Sequence, residues 1–205
     1  MLLEYIKNNY QYGEPILLEE IEYKNSAALR QEMKRLTDEG ILVRAYNGVY
    51  YKAYKTIFNT EGKMSIDKYI DKKYLIKNSI IIGYITGLSL ANQYGFTTQV
   101  PSQIEITSNN ATTKQRKIDV DGHILIIYSP VVEITEKNIS SLQFLDLMQN
   151  IDKYSELEGE ELKKKLKEYV KKTNVDFNIV KNLIGLYPDR IYKNIYNGGL
   201  MNELV

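Results

Sequence analysis

The sequence predicts an α+β protein. A winged helix-turn-helix covers residues 1–55, a linker 56–64, and a second α+β domain 65–205, with a small antiparallel sheet and C-terminal helices. Three observations predict this. Residues 25–52, NSAALRQEMKRLTDEGILVRAYNGVYYK, read as one helix followed by two short strands around a tight turn. Residues 103–128 carry β-prone stretches on either side of an Asp-Gly turn signal. Beyond residue 137 the apolar residues fall at helical spacing.

The elements follow in order. Leu2, Leu3, Ile6 and Tyr10 place apolar groups on one face of a first helix that ends near Tyr12-Gly13. Pro15-Ile16-Leu17 is a short extended piece, and Leu17 to Ile21 is one or two helical turns. Asn25 or Ser26 suits the N-cap of the next helix, because each side chain can accept from an orphan backbone N–H of the first turn. Leu29, Met33 and Leu36 share one face of that helix, and Gly40 suits a left-handed stop. ILVRAY is extended, Asn47-Gly48 is a type I′ turn signal, and VYYKAY returns. This is winged-helix order.

The polar face of the helix at 26–38 has the chemistry of a base reader. Ala27, Arg30, Gln31 and Lys34 fall on the arc opposite Leu29 and Met33, with Arg35 at its edge, and Ser26 at the helix start joins them as a candidate for the major groove. Arg and Gln make paired contacts to base edges, and Lys neutralises phosphate. Arg35, Arg44, Asn47 and Lys52 are placed to hold phosphates or the wing. From Ser26 to Lys55 six positive residues face three negative ones, in a chain whose formal net charge is only +1. Double-stranded DNA is the partner these residues suit. A soluble helix face with no ligand, and a winged module that binds protein, are the competing readings.

Thr56 to Lys63 is polar with one Gly and reads as the linker, with Ser65 as cap of a following helix. Ser79 to Tyr94 is apolar nearly all round a helical wheel and reads as the buried central helix of the second domain. Gly83 and Gly87 within it would admit close approach of another element. Gln103 to Thr107 alternates as a strand. Ile118 and Val120 lead to the Asp121-Gly122 turn, and His123 to Tyr128 is strongly β-prone. The loop SNNATTKQRK, residues 108–117, brings a candidate second basic patch in Lys114, Arg116 and Lys117. Lys137 to Gln149 is helical, Asp152 to Leu157 is a break, and helices follow at 158–172, 175–187 and 190–196.

The bounds are simple. A mean hydropathy of −0.36 indicates a soluble chain. There is no Cys, which excludes a disulfide framework and a Cys-based zinc site and fits a reducing cytoplasm. MLLEYIKNNYQYG lacks the basic and apolar regions of a signal peptide, and Ser79 to Ala91 is too short and polar to span a membrane. His123 is the sole His, which rules out any multi-His metal site within one chain, and with no partner motif it reads as a polar residue at a strand start. No P-loop, dinucleotide fingerprint or nucleophile elbow occurs. The expectation is therefore no catalytic residue, no metal and no cofactor. A metal-dependent nuclease resting on Glu105 and Asp121 is the enzyme alternative.

Two segments carry a family resemblance. SAALRQEMKRLTDEGILVRAYNGVYY, through Leu36, Gly40, Arg44, Gly48, Val49 and Tyr50, and TGLSLANQYGFTTQVP at 86–101 resemble the AbiEi family of antitoxins from bacterial type IV toxin–antitoxin (abortive infection) operons. The resemblance implies a DNA-binding autorepressor and antitoxin that counteracts a co-encoded nucleotidyltransferase-like toxin without a stable complex. It implies operator DNA as the bound partner and leaves monomer and homodimer open. Asn47 stands where the family often has a basic residue.

Overall fold

The computed structural model describes residues 2–204 as a mixed α+β protein. Its contacts divide it into two compact units. The first runs to Lys72 and includes Asp119–His123; the second holds the rest from Lys73 onward.

In the first unit, α1 (Leu2–Asn9) is followed by β1 (Ile16–Leu17), a 3-10 turn (Leu18–Glu20), α2 (Ser26–Asp38), β2 (Leu42–Tyr46) and β3 (Val49–Lys52). Asn25, rather than Ser26, caps α2: its Oδ1 accepts from the Ala27 N–H at 2.8 Å and the Ala28 N–H at 3.3 Å. Leu29, Met33 and Leu36 are buried against Leu2, Ile6, Ile16, Leu42 and Tyr50. Gly40 takes φ +71 and lets the Ile41 N–H reach the Leu36 carbonyl at 3.0 Å. The strands form a sheet of order β1-β3-β2 with both pairs antiparallel.

The β2–β3 hairpin lies where the Asn-Gly signal places it, but its turn is not type I′. Gly48 takes φ +73 while Asn47 stays outside the left-handed region. The register slips between Arg44 and Tyr46, and the Leu18 N–H donates to the Gly48 carbonyl at 2.9 Å. A bulge and a bond from outside the hairpin thus replace the local preference. After β3, the segment read as a linker is folded: Lys55 and Glu61 form an antiparallel bridge. Ser65 caps α3 (Ile66–Ile70), accepting from the Lys68 N–H at 3.3 Å. The two units divide at Lys72/Lys73, beyond that segment.

The second unit contains a β4–β5 hairpin (Ile76–Lys77, Ile80–Ile81), then β6 (Gly83–Thr86), α4 (Gly87–Gln93), β7 (Ile104–Ser108) and most of β8 (Gln115–Val120) and β9 (His123–Tyr128), whose turn and adjoining ends, Asp119–His123, belong to the first. The single helix expected over Ser79–Tyr94 does not form. Its first half is strand, and helix starts only at Gly87. A run apolar on all sides satisfies both periods, and here pairing decides. A Cβ on Gly83 would lie 2.1 Å from the Tyr74 carbonyl oxygen and 2.7 Å from that of Thr107. Gly83 is therefore a strand position pressed between backbones.

The main sheet has the order β6-β7-β9-β8. β6 is antiparallel to β7, but β7 runs parallel to β9, so the sheet includes a parallel pair that the antiparallel reading lacked. The cause is topological: β8 takes the edge, and β9 returns between it and β7 after the Asp121-Gly122 turn. Both turn residues take positive φ, at 53 and 85, as type I′ requires. Helices α5 (Ile139–Tyr154), α6 (Gly159–Thr173), α7 (Phe177–Leu183) and α8 (Arg190–Asn197) complete the unit. α5 runs into the expected break at 152–157, with its one non-helical residue at Asn150. Leu90, Phe96, Phe144, Leu147, Met148, Leu166, Tyr169, Ile191 and Ile195 share its helical core. Among the described residues no helix is long and apolar enough to cross a membrane.

Candidate nucleic-acid interface

The exposed face of α2 and the β2–β3 turn enclose a concavity of about 420 Å³. Arg30 and Lys34 line it from the helix, and Arg44 and Asn47 from the hairpin. The geometry follows from the local sequence. Leu29, Met33 and Leu36 pin one side of α2 to the core, which turns Arg30 and Lys34, one helical turn apart, to the other. Arg44 is fixed by its neighbours: Nη2 donates to the Asn47 Oδ1 at 2.9 Å and Nε to the Tyr46 carbonyl at 3.4 Å. Asn47 thus orients a guanidinium at the groove. Leu18, Thr37, Asp38, Gly48 and Tyr50 complete the lining, and Asp38 places one acid beside three cations. None of those five is a DNA-contact candidate in the sequence, although Gly48 marks the turn there and Gly48 and Tyr50 carry the AbiEi-like motif.

The remaining candidates divide. Ser26, Ala27 and Gln31 are exposed on α2 but outside the groove lining. Arg35 is committed within its own helix, to Glu32 at 2.7 Å and Glu39 at 2.5 Å. That pairing holds the Glu32 carboxyl below its usual range and the guanidinium above its own. Lys52 sits 4.7 Å from the centre of the Tyr12 ring, not in the groove. Of the second basic patch, Lys114 precedes β8, while Arg116 and Lys117 are successive residues on it. Successive strand residues point to opposite faces, so the fold does not gather these two into one surface.

The acids named in the nuclease alternative differ in setting. Glu105, on β7, accepts from the Tyr128 hydroxyl at 3.0 Å and the Leu88 N–H at 3.2 Å. Asp121 lies in the other unit, in the β8–β9 turn. His123 is exposed at the start of β9.

A polar layer in the second unit escaped the sequence reading. Tyr84 and Thr86 project from one face of β6, and Thr107 and Glu105 from the facing positions of β7. Asp146 of α5 meets them. Its Oδ2 accepts from the hydroxyls of Tyr84 at 3.0 Å, Thr107 at 3.1 Å and Thr86 at 3.3 Å. The Tyr187 hydroxyl faces the same carboxyl and is buried without closing a hydrogen bond. Burial pushes the Asp146 carboxyl up, against the opposing pull of these donors. Burial and the adjacent Asp146 likewise raise Tyr84. The available signal was one acid inside the otherwise apolar run Phe144–Met148.

A search of curated protein sequences finds no match. One family model matches residues 2–176, most of the chain, from α1 through α6, and the protein belongs to that family, DUF6088, a family of unknown function.

Proposed function

We propose that the first unit is a winged helix-turn-helix that binds operator DNA, and that the protein is a cytoplasmic autorepressor and antitoxin of a type IV toxin–antitoxin operon. The observation that carries the DNA reading is the convergence of Arg30, Lys34 and Arg44 on one groove. α2 would present Arg30 and Gln31 to base edges in the major groove, and Lys34 and Arg44 to phosphates. The antitoxin role, against a nucleotidyltransferase-like toxin met without a stable complex, is supported by the AbiEi-like segments described above.

The test is a gel shift on the DNA upstream of the protein's own gene, titrated with salt. A specific shift whose affinity falls steeply with salt supports repression, and stepwise bands count the protomers bound. Arg30→Ala and Gln31→Ala should each cost ~1–3 kcal/mol and relax operator specificity. No shift at low salt would sink the reading and favour a protein-binding module.

A further inference from the structure

Past β3, the chain forms a small hairpin whose tip chemistry runs against its position. The Asn59 N–H donates to the Thr56 carbonyl at 2.9 Å, and the Thr56 N–H to the Thr60 carbonyl at 2.9 Å. Asn59 takes φ +58. This is a three-residue hairpin loop, a turn closed by one left-handed residue. Ile57 and Phe58 occupy its two central positions, which normally favour Pro, Asp, Asn, Ser or Gly. They are 94% and 82% exposed. Held in water, they contribute nothing to the core.

The backbone beneath them is clamped. The Thr56 and Thr60 hydroxyls meet at 2.7 Å. The Gly62 N–H donates to the Tyr54 carbonyl at 2.8 Å, and the Tyr54 hydroxyl to the Lys63 carbonyl at 3.0 Å. The Tyr54 ring lies so close over Gly62 that a Cβ there would fall 2.3 Å from Cζ. Two apolar side chains therefore stand on a stiff stalk.

Charge and area narrow the occupant. Lys52, Lys55 and Lys63 flank the stalk in sequence, and Glu61 is the one acid among residues 52–63. A stable dimer needs roughly 800 Å² from each partner. Two side chains, at roughly 150–250 Å² for a large aromatic, fall short of that. An apolar point on a cationic base matches a partner with anionic rails around a stacked apolar interior. Duplex DNA has that form, and Phe and Ile wedges enter it between base steps.

We propose that Ile57 and Phe58 insert between stacked base pairs of the DNA held by this unit, with Lys55 and Lys63 on the flanking phosphates. The proposal rests on the DNA-binding reading above. The tip follows β3 at the end remote from the Asn47-Gly48 turn, so the step it enters lies outside the segment contacted by the groove.

The full chain is tested with operator duplexes carrying 2-aminopurine at successive positions, because its fluorescence rises when the base is unstacked. One position outside the groove's footprint should brighten several-fold with the wild-type protein and stay dark with Phe58→Ala. The same variant should still shift the operator, about tenfold more weakly. Its circular dichroism and melting temperature should match the wild type, because the side chain is exposed. Operator binding with no bright position, or equal brightening by Phe58→Ala, overturns the wedge and leaves the repressor reading standing. Absence of any operator binding overturns both. A dimer in sedimentation that Phe58→Ala dissociates, with fluorescence unchanged, assigns the tip to a contact between copies and overturns the wedge.

Discussion

Arg30, Lys34 and Arg44 stand in water around a groove in the first unit, whereas Asp146 of the second is walled in by Tyr84, Thr86, Thr107 and Tyr187. The cations take no part in the apolar core beneath them, which is built from Leu29, Met33, Leu36 and their partners. They can change with little effect on folding, so their placement is available to a ligand. Asp146 is the reverse case. Its carboxyl joins α5 to the β6–β7 face, and its loss strands three hydroxyl donors. Charge at a surface groove reports on a partner; charge inside a layer reports first on the fold.

Substitutions separate the two roles. Leu36→Ala, at a position with no solvent exposure, should cost about 2–5 kcal/mol in chemical denaturation. Arg30→Ala should leave that unfolding curve in place. If Arg30→Ala unfolds the protein as Leu36→Ala does, the groove is structural and the contrast fails.

Asp146→Ala should cost about 3 kcal/mol, since it leaves the Tyr84, Thr86 and Thr107 hydroxyls without their acceptor. Asp146→Asn keeps an acceptor and removes the charge, which isolates the pH term. The folded carboxyl is raised, so the folded state binds its proton more tightly than the unfolded chain. That stabilisation is complete below the unfolded value, near pH 4, and is lost as pH rises through the folded value. The difference in urea midpoint between wild type and Asp146→Asn should therefore shift in favour of the variant as pH increases from 4. A constant difference would show that Asp146 titrates alike in both states.

Smaller effects sharpen the groove. Lys34→Ala and Arg44→Ala should each reduce the slope of log affinity against log salt by about 1. Arg35→Ala should leave the slope unchanged, because Glu32 and Glu39 already engage its guanidinium. A slope lowered by Arg35→Ala as much as by Lys34→Ala would mean that DNA breaks those pairs. Asn25→Ala removes the α2 cap and should cost about 1 kcal/mol, read as a lower melting temperature with specificity retained.

The first unit was legible because its signals are local. The Asn25 cap, the 29/33/36 spacing, the Gly40 stop and the hairpin at Asn47-Gly48 all act within a few residues. The pairing of Arg35 was legible too, since Glu32 and Glu39 lie three before and four after it on one helix; the charge count passed over it. Residues 79–94 were misread because Ile80, Ile81, Ile82 and Ile85 fit a buried strand as well as a buried helix. The deciding contacts, from Tyr74 and Thr107 backbone onto Gly83, are remote in sequence. Asp146 was passed over because its three donors come from two strands distant along the chain.

By itself, then, the sequence determined α2, the following hairpin and the excess of positive charge upon them, since caps, turns and helical spacing act between near neighbours. Tertiary structure alone decided the strand at Gly83, the parallel β7–β9 pair, the buried setting of Asp146 and which cations share the groove. Strand pairing and burial join residues far apart in the chain, and no local pattern specifies which of them will meet.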